Sequence, residues 1–407
     1  MGISIGLVGL GSFGKCFADM FKAHPLVDRI ALCDRDPERI RVFAEKDSWQ
    51  DKFDAHDAYA SLDEVCGADL DALVIITQHW LHGHQAIQAM QAGKHVYCAV
   101  PILNIPDSDE ILDCCDRLVD TVRQTGRHFM YGETTYYRPQ AMFCRRKAAE
   151  GAFGDFIYAE GEYFHDLDAS CSLRRVMEHR LASPAGAQWA EKKRDYRARN
   201  VLNGPMHYPT HSTSGPVCVM NAHAVEVTGY GYRNRNDDPY FEDSAFSNET
   251  ALFKMSNGAT VRICEFRECA GAFAESETFR VMGTRGSYAE GVWRDNSRTA
   301  PFTAQPLAKT RLTDEEMRDP FPPEVAKAFM RILKPNADPD DDFQPTGHGG
   351  SHPYLVHEFV DAVANDRTPA ISVWDAVRYT AMGAMAHKSA LQEGKTLTVP
   401  DWGDPVR

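Results

Sequence analysis

The sequence has no apolar run near the ~18 residues that a membrane span needs. Leu73–Thr77 is the sort of run present. It has no excess of positive charge: 44 Lys and Arg face 58 Asp and Glu, a net charge of −14. So acidic a chain is a poor match for phosphate backbones or anionic lipid, so no nucleic-acid and no membrane partner is expected. None of the 11 cysteines falls in a CxxC pair, and the count is odd. That argues against a disulfide framework and for reduced thiols. The stretch from Met1 to Gly11 has no basic region ahead of its apolar residues. A cytoplasmic protein without a secretory leader is expected. There is no internal repeat and no low-complexity tract. What is present is ordinary globular composition, 43% hydrophobic and 25% charged, over 407 residues. That length suits two or three domains.

Short apolar runs alternate with helical spacing through the first 130 residues. The runs are Ile3–Val8, Arg29–Cys33, Ala72–Thr77, His95–Cys98 and His128–Tyr131; Phe13–Lys22 and His84–Ala92 have helical spacing. Repeated strand and helix predict right-handed crossovers and a doubly wound parallel sheet. Beyond that point the runs lengthen and alternate: Phe156–Tyr163, Val225–Tyr232, Thr250–Met255, Thr260–Phe266 and Glu277–Met282. Ser256-Asn257-Gly258 reads as a hairpin turn, since asparagine and glycine tolerate positive φ. The expected fold is therefore α/β. Residues 1–130 are expected to form the doubly wound parallel domain, and residues 131–407 an α+β domain with a large, mostly antiparallel sheet, whose final helices can pack back on the first domain. Asp166–Met206 has no clear periodicity and reads as a substrate-covering insertion. Ala300–Gln344, with its acidic run Asp338–Asp342, reads as surface loop with one helix near Glu324–Leu333. Helices are expected at Tyr354–Asn365 and Trp374–Glu393.

Gly9-x-Gly11-x-x-Gly14 follows the first strand and opens a helix. Gly9 permits a tight turn, Gly11 lets a pyrophosphate approach, and Gly14 lets the helix pack on the strand, whose N-terminus attracts phosphate. Ser12 and Phe13 complete the turn. Asp34, at the end of the second strand, is placed to accept both ribose hydroxyls of an adenosine and favours NAD over NADP. Arg35 stacks on adenine, holds a phosphate, or is a solvated charge. Thr77-Gln78-His79 and Val100-Pro101 lie at the carboxyl edge of the sheet, where ligands bind in such folds.

With these residues in view, the chain resembles the Gfo/Idh/MocA oxidoreductase family. The likeness rests on the glycine motif, Asp34, Thr77-Gln78-His79-Trp80-Leu81-His82, Ala92–Pro101, and Gly283-Thr284-Arg285-Gly286-Ser287. It implies a Rossmann domain, a C-terminal open sheet, homodimers or homotetramers through that sheet, and hydride exchange between NAD(P) and a sugar, cyclitol or polyol. Two positions depart from the pattern. The usual Glu-Lys-Pro is Ala99-Val100-Pro101, and valine cannot move a proton. The usual aspartate four residues before a histidine is His207, before His211. A second resemblance is to the NAD-dependent glycosidases of glycoside hydrolase family 109. It rests on Gly161–Leu167, Tyr196-Arg197, Tyr208-Pro209-Thr210-His211 and Gly215-Pro216. Those enzymes also carry valine before the proline, although Ala99 stands where they have glutamate. This resemblance implies substrate contact by Tyr163, Arg197, Tyr208 and His211, and cofactor contact by Val100, its neighbours, and Glu133 or Thr134.

His211 is the first choice for acid–base work at a sugar hydroxyl, since a near-neutral pKa suits proton transfer both ways. Tyr163 either deprotonates carbon with a depressed pKa, hydrogen-bonds a hydroxyl, or packs. Tyr208 and Thr210 share the segment of His211. His165 with Asp166 either orients Tyr163 or caps the insertion. His207 and His211 have i,i+4 spacing, but Pro209 interrupts a helix and no carboxylate completes a set, so no metal is expected. His79 and Trp80 stack near the ligand or pack the core, while His82 follows on the same edge. Gly347–His352 touches substrate or turns the chain. Three activities fit: a net NAD-dependent sugar or polyol dehydrogenase; a redox-neutral glycosidase or lyase working by C3 oxidation, C2 deprotonation, elimination and re-reduction; and a non-catalytic NAD(H) sensor.

Overall fold

The computed structural model describes residues 2–169, 172–270, 275–295, 308–333 and 343–405. Its first layer is a parallel sheet ordered β3-β2-β1-β4-β5-β6. The strands are β1 (Ile3–Val8), β2 (Val27–Cys33), β3 (Phe53–Tyr59), β4 (Ala72–Ile75), β5 (His95–Cys98) and β6 (Phe129–Tyr131). The helices between them are α1 (Lys15–Ala23), α2 (Pro37–Ala44), α3 (Leu62–Gly67), α4 (His82–Gln91) and α5 (Ser108–Thr125). Central strands such as β4 are buried along their whole length, as a sheet covered on both faces requires. β3 escaped the sequence reading because it is an edge strand, Phe-Asp-Ala-His-Asp-Ala-Tyr, with only Phe53 and Asp57 buried.

The chain then forms α6 (Pro139–Ala149), β7 (Phe156–His165), α7 (Leu173–Leu181), α8 (Pro184–Ala198) and α9 (Thr210–Met220). Next come β8 (Ala224–Tyr232), β9 (Asn248–Met255), β10 (Thr260–Phe266), β11 (Glu275–Gly283), β12 (Gly286–Ala289), β13 (Val292–Asp295) and β14 (Ala308–Arg311). Last are α10 (Asp314–Met317), α11 (Pro323–Leu333), α12 (His352–Ala364), α13 (Val373–Leu391) and β15 (Leu397–Thr398). The second sheet runs β14-β13-β12-β11-β7-β10-β9-β8-β15. Its strands pair antiparallel except at β7–β10, which is parallel. Between β9 and β10 only Gly258 takes positive φ (87°), while Asn257 accepts a hydrogen bond from the Ala259 N–H. The covered face, with Val227, Phe253, Val261, Ile263 and Val281, packs against α9 and α13. α12 packs on α1, and α13 on α5.

The insertion is not the aperiodic segment that the sequence suggested. It holds α7 and α8, started by Ser172 and Ser183, whose hydroxyls accept from the Arg175 and Gly186 N–H groups. The spacing hid them because α7 buries no residue, so it has no apolar stripe. The acidic run Asp338–Asp342 lies outside the described residues. No described helix is long and apolar enough to cross a membrane.

Candidate active site

The glycine turn lies at the carboxyl edge of β1. Gly9 has φ of 93°, and a Cβ there would lie 2.3 Å from the Ile76 carbonyl. A Cβ on Gly14 would lie 2.0 Å from the Gly9 carbonyl. Gly11 differs: the nearest atom to an added Cβ is Arg39 Nη1 at 3.7 Å, so nothing in the protein itself demands glycine there. That open space, at the head of α1, fits an approaching pyrophosphate. Ser12 and Phe13 are exposed beside it. Asp34 is buried; its Oδ2 accepts from the Leu10 N–H at 2.8 Å, and its Oδ1 from the Asp36 N–H at 3.0 Å. The carboxylate thus braces the turn while staying beside the ribose position. Arg35 is exposed; the cation at Asp34 is instead Arg39, with Nη1 3.4 Å from Oδ2.

At the neighbouring strand ends, Thr77 bonds Gln85, and the His79 carbonyl accepts from the Asn104 N–H at 2.9 Å. His82 Nδ1 lies 2.9 Å from the Pro101 carbonyl, and burial pulls its pKa down to about 4. Neutral His82 therefore holds the Ala99-Val100-Pro101 turn, in which the Val100–Pro101 peptide is cis. His79 is buried edge-on to Trp80, with ring centroids 5.0 Å apart. Trp80 stacks on Trp189 of α8, 5.0 Å between centroids and 8° between planes, so it fastens the insertion to the first domain.

The centre of the site is a buried pair. Glu133, just past β6, is wholly buried, and its Oε1 accepts from His211 Nδ1 at 3.0 Å and from the Thr135 N–H at 2.9 Å. Its Oε2 has no hydrogen-bond partner among the described residues. Thr134, next to it, and Thr210, at the start of α9, are also buried. Burial opposes charge on His211, but the carboxylates of Glu133 and Glu277 outweigh it and raise its pKa to about 9. Burial likewise opposes charge on Glu133, yet the imidazolium holds it below the usual carboxylate range. The resemblance implies cofactor contact by Glu133 or Thr134; the hydrogen-bond partner of Glu133 Oε1 in the structure is His211.

The other ring nitrogen of His211, Nε2, lies 3.4 Å from Tyr208 Oη, and Tyr163 stands edge-on at 5.1 Å. Tyr163 belongs to a polar row across the covered face of the second sheet: Glu277, Tyr163, Glu265 and Glu249 are register neighbours on β11, β7, β10 and β9. Each acid has its own partner. Glu277 pairs with Arg138, Glu265 with Arg267 at 2.8 Å and with Ser212, and Glu249 with His387 at 2.8 Å. The Arg267 guanidinium lies over the Tyr163 ring at 4.6 Å, and Tyr163 Oη meets His165 Nδ1 at 2.5 Å. A depressed Tyr163 pKa is not found: burial pushes the phenol well up, despite Arg267. Charged residues at inward strand positions were the available signal for Glu265 and Glu277, while Arg138, just ahead of α6, carried none; alternation alone had registered only the apolar ones.

Two expected neighbours sit elsewhere. Arg197, at the end of α8, is about half exposed and pairs with Asp243 and with Glu242 at 2.9 Å. His207 turns away from His211, with Nε2 2.9 Å from Ser108 Oγ and Nδ1 2.7 Å from Asn203 Oδ1. Among the described residues no group of three His, Cys, Asp or Glu is placed to hold a metal ion.

Comparison with known proteins agrees with this layout. Residues 3–132 match the oxidoreductase family with an NAD-binding Rossmann fold, and residues 249–405 match the C-terminal domain of glycosyl hydrolase 109. A glycosyl hydrolase family 109 protein of Shewanella amazonensis is 31% identical over 98% of this chain and 85% of its own length. The chain belongs to glycosyl hydrolase family 109. It is thus an NAD-dependent enzyme of the oxidoreductase type. An alpha-N-acetylgalactosaminidase of Bacteroides fragilis is 30% identical over 56% of this chain and 50% of its own. Levoglucosan dehydrogenase in complex with NADH shares the fold, with TM-score 0.70 at 17% identity over 98% of this chain and all of that one.

Proposed function

We propose that this enzyme cleaves a glycoside by a redox-neutral route. The observation that carries this reading is the replacement of the dehydrogenase lysine by Val100, together with the buried His211–Glu133 pair beside Tyr208 and Tyr163. Membership of glycosyl hydrolase family 109 supports it. A net dehydrogenase, the broader expectation, shares the hydride chemistry but must release reduced cofactor.

Gly9, Gly11, Gly14, Asp34 and the Thr77–His79 and Ala99–Pro101 turns would hold the cofactor. When bound, its nicotinamide supplies a reversible hydride acceptor, which lets a ring hydroxyl become a ketone and return within one turnover. In its neutral form His211 takes the hydroxyl proton as that carbon is oxidised, and the resulting imidazolium stabilises the negative charge that gathers on the oxygen and returns the proton when the ketone is reduced. Glu133 fixes its orientation through Nδ1, and Tyr208 bonds its Nε2 side. Val100 brings no competing proton to the site. Tyr163 hydrogen-bonds the sugar, with His165 fixing its hydroxyl. Residues 1–130 thus bind nucleotide, and residues 131–407 bind the sugar and a second copy of the chain. The open face of the large sheet supports the latter: Tyr230, Tyr232, Leu252 and Met282 point from it and are exposed. A homodimer or homotetramer working in the cytoplasm suits this arrangement.

The test incubates the purified protein and NAD with a panel of 4-nitrophenyl glycosides, including the α-N-acetylgalactosaminide. Nitrophenolate release with no net NADH absorbance is expected. Net NADH from a polyol without aglycone release would establish the dehydrogenase instead, and NAD binding with neither product would establish the sensor.

A further inference from the structure

The redox-neutral reading needs a base for the carbon-bound proton, and the groups around His211 do not supply one. Tyr163 and Tyr208 are driven away from ionisation by burial. Glu133, Glu265 and Glu277 are engaged by His211, Arg267 and Arg138. His165 meets the Tyr163 hydroxyl. His79 Nδ1 and His82 Nε2 also have no partner among the described residues, but both rings are buried, His79 against Trp80 and His82 on the Pro101 carbonyl.

An exposed imidazole lies in the glycine-rich turn before α12. Gly347, His348, Gly349 and Gly350 all have positive φ, 75°, 41°, 71° and 91°. A left-handed backbone at a non-glycine residue is costly and clusters at functional sites. The turn bridges the two halves of the site. His348 lies edge-on to Phe13 of the glycine turn at 5.7 Å, while Gly349 lies against Arg138, the partner of Glu277, with an added Cβ 3.6 Å from Arg138 Cγ. His348 Nδ1 is 2.8 Å from Nε2 of buried His352, and His348 is exposed. Its own Nε2 has no partner among the described residues. His352 packs on Phe17 at 4.3 Å, and burial pulls its pKa down to about 3, so it is a neutral acceptor. With the His348 Nδ1–H donated to it, the Nε2 lone pair is left free.

We propose that His348, oriented by His352, is the general base of this site. Its Nε2 takes the proton from C2 of the oxidised sugar. The C–H electron pair becomes the C1–C2 double bond, and the C1–O bond breaks with its pair passing to the aglycone oxygen, so the step consumes no oxidant. The charged and titratable groups facing His348 are His211 on α9, Glu133 past β6, Arg138 ahead of α6, Glu277 on β11, and His352 on α12; Arg318 bonds the Gly349 carbonyl. Burial and the positive charge of His211 lower the His348 pKa while that of His211 is raised, so one imidazole is neutral when the other is charged. A pair driven apart in this way marks a base and an acid.

The test uses the NAD-loaded enzyme in D2O with 4-nitrophenyl 2-acetamido-2-deoxy-α-D-galactopyranoside, or with whichever glycoside of the panel the wild type cleaves fastest. His348→Asn, and His348→Gly with added imidazole, are compared with wild type. Glycine suits the backbone and leaves room for the added base. The wild type is expected to incorporate deuterium at C2. H348N should slow incorporation at least 100-fold while keeping NAD affinity, and imidazole should restore part of it in H348G. Site-resolved labelling with diethyl pyrocarbonate gives an independent readout: His348 should be modified at pH 6, where His211 is not. Exchange in H348N within twofold of wild type, or an unreactive His348, overturns the proposal. A wild type that shows neither exchange nor cleavage overturns the redox-neutral reading and this inference with it.

Discussion

His211 Nδ1 and Glu133 Oε1 lie 3.0 Å apart with both side chains buried, so the imidazolium and the carboxylate hold each other charged. His211, raised to about 9 from 6.5, stabilises the fold fully below pH 6.5 and loses that contribution as pH rises through 9. Glu133, lowered from 4.5, contributes above that pH and loses it as pH falls. The pair is therefore strongest between these limits. Glu133→Gln should lower Tm most at about pH 5 to 6.5, by an amount equivalent to about 3 kcal/mol, and least near pH 10. Thermal denaturation across pH checks this. An equal loss at every pH would count against it.

The same substitution should move the enzyme's pH–rate profile. With Glu133 neutral, the ionisation near pH 9 assigned to His211 shifts acidward by at least one unit. Steady-state rates from pH 5 to 10 report the inflection.

The two glycines of the turn should behave differently. Gly14→Ala forces a Cβ to within 2.0 Å of a backbone oxygen and should unfold or strongly destabilise the first domain. Gly11→Ala meets no protein atom closer than 3.7 Å. It should leave Tm within about 1 °C without nucleotide and weaken NAD binding tenfold or more, about 1.4 kcal/mol. Calorimetric titration with NAD separates the cases.

Arg197→Ala should change kcat/KM less than about twofold, since surface ion pairs contribute only about 0–1 kcal/mol. Tyr208→Phe removes the hydroxyl beside His211 Nε2 and should lower kcat at least tenfold, with KM little changed. Parallel steady-state kinetics on both variants decide whether the substrate wall lies at Tyr208 or further out on α8.

The nucleotide half of the molecule was legible because its signals are local: strand, glycines and acid follow one another within the first 34 residues. The alternating strands were legible for the same reason. The site was only half visible. His211 and Tyr208 share one short segment and Tyr163 lies in another, but Glu133 lies 78 positions from His211, and only the packing of α9 beside the segment after β6 brings them together. Arg197 was expected at the substrate and pairs with Asp243 and Glu242, since a position in the insertion does not by itself say which way a helix turns. Arg39 was passed over for Arg35 because the turn into α2, not adjacency, brings it back to Asp34.

The near-parallel indoles of Trp80 and Trp189 join the turn after β4 in the first sheet to α8 of the insertion. Indoles stacked at 5.0 Å interact through their strong far-ultraviolet transitions, so circular dichroism there should change whenever α8 leaves Trp80, a readout of how the insertion sits that works without a label and whether or not a sugar is known.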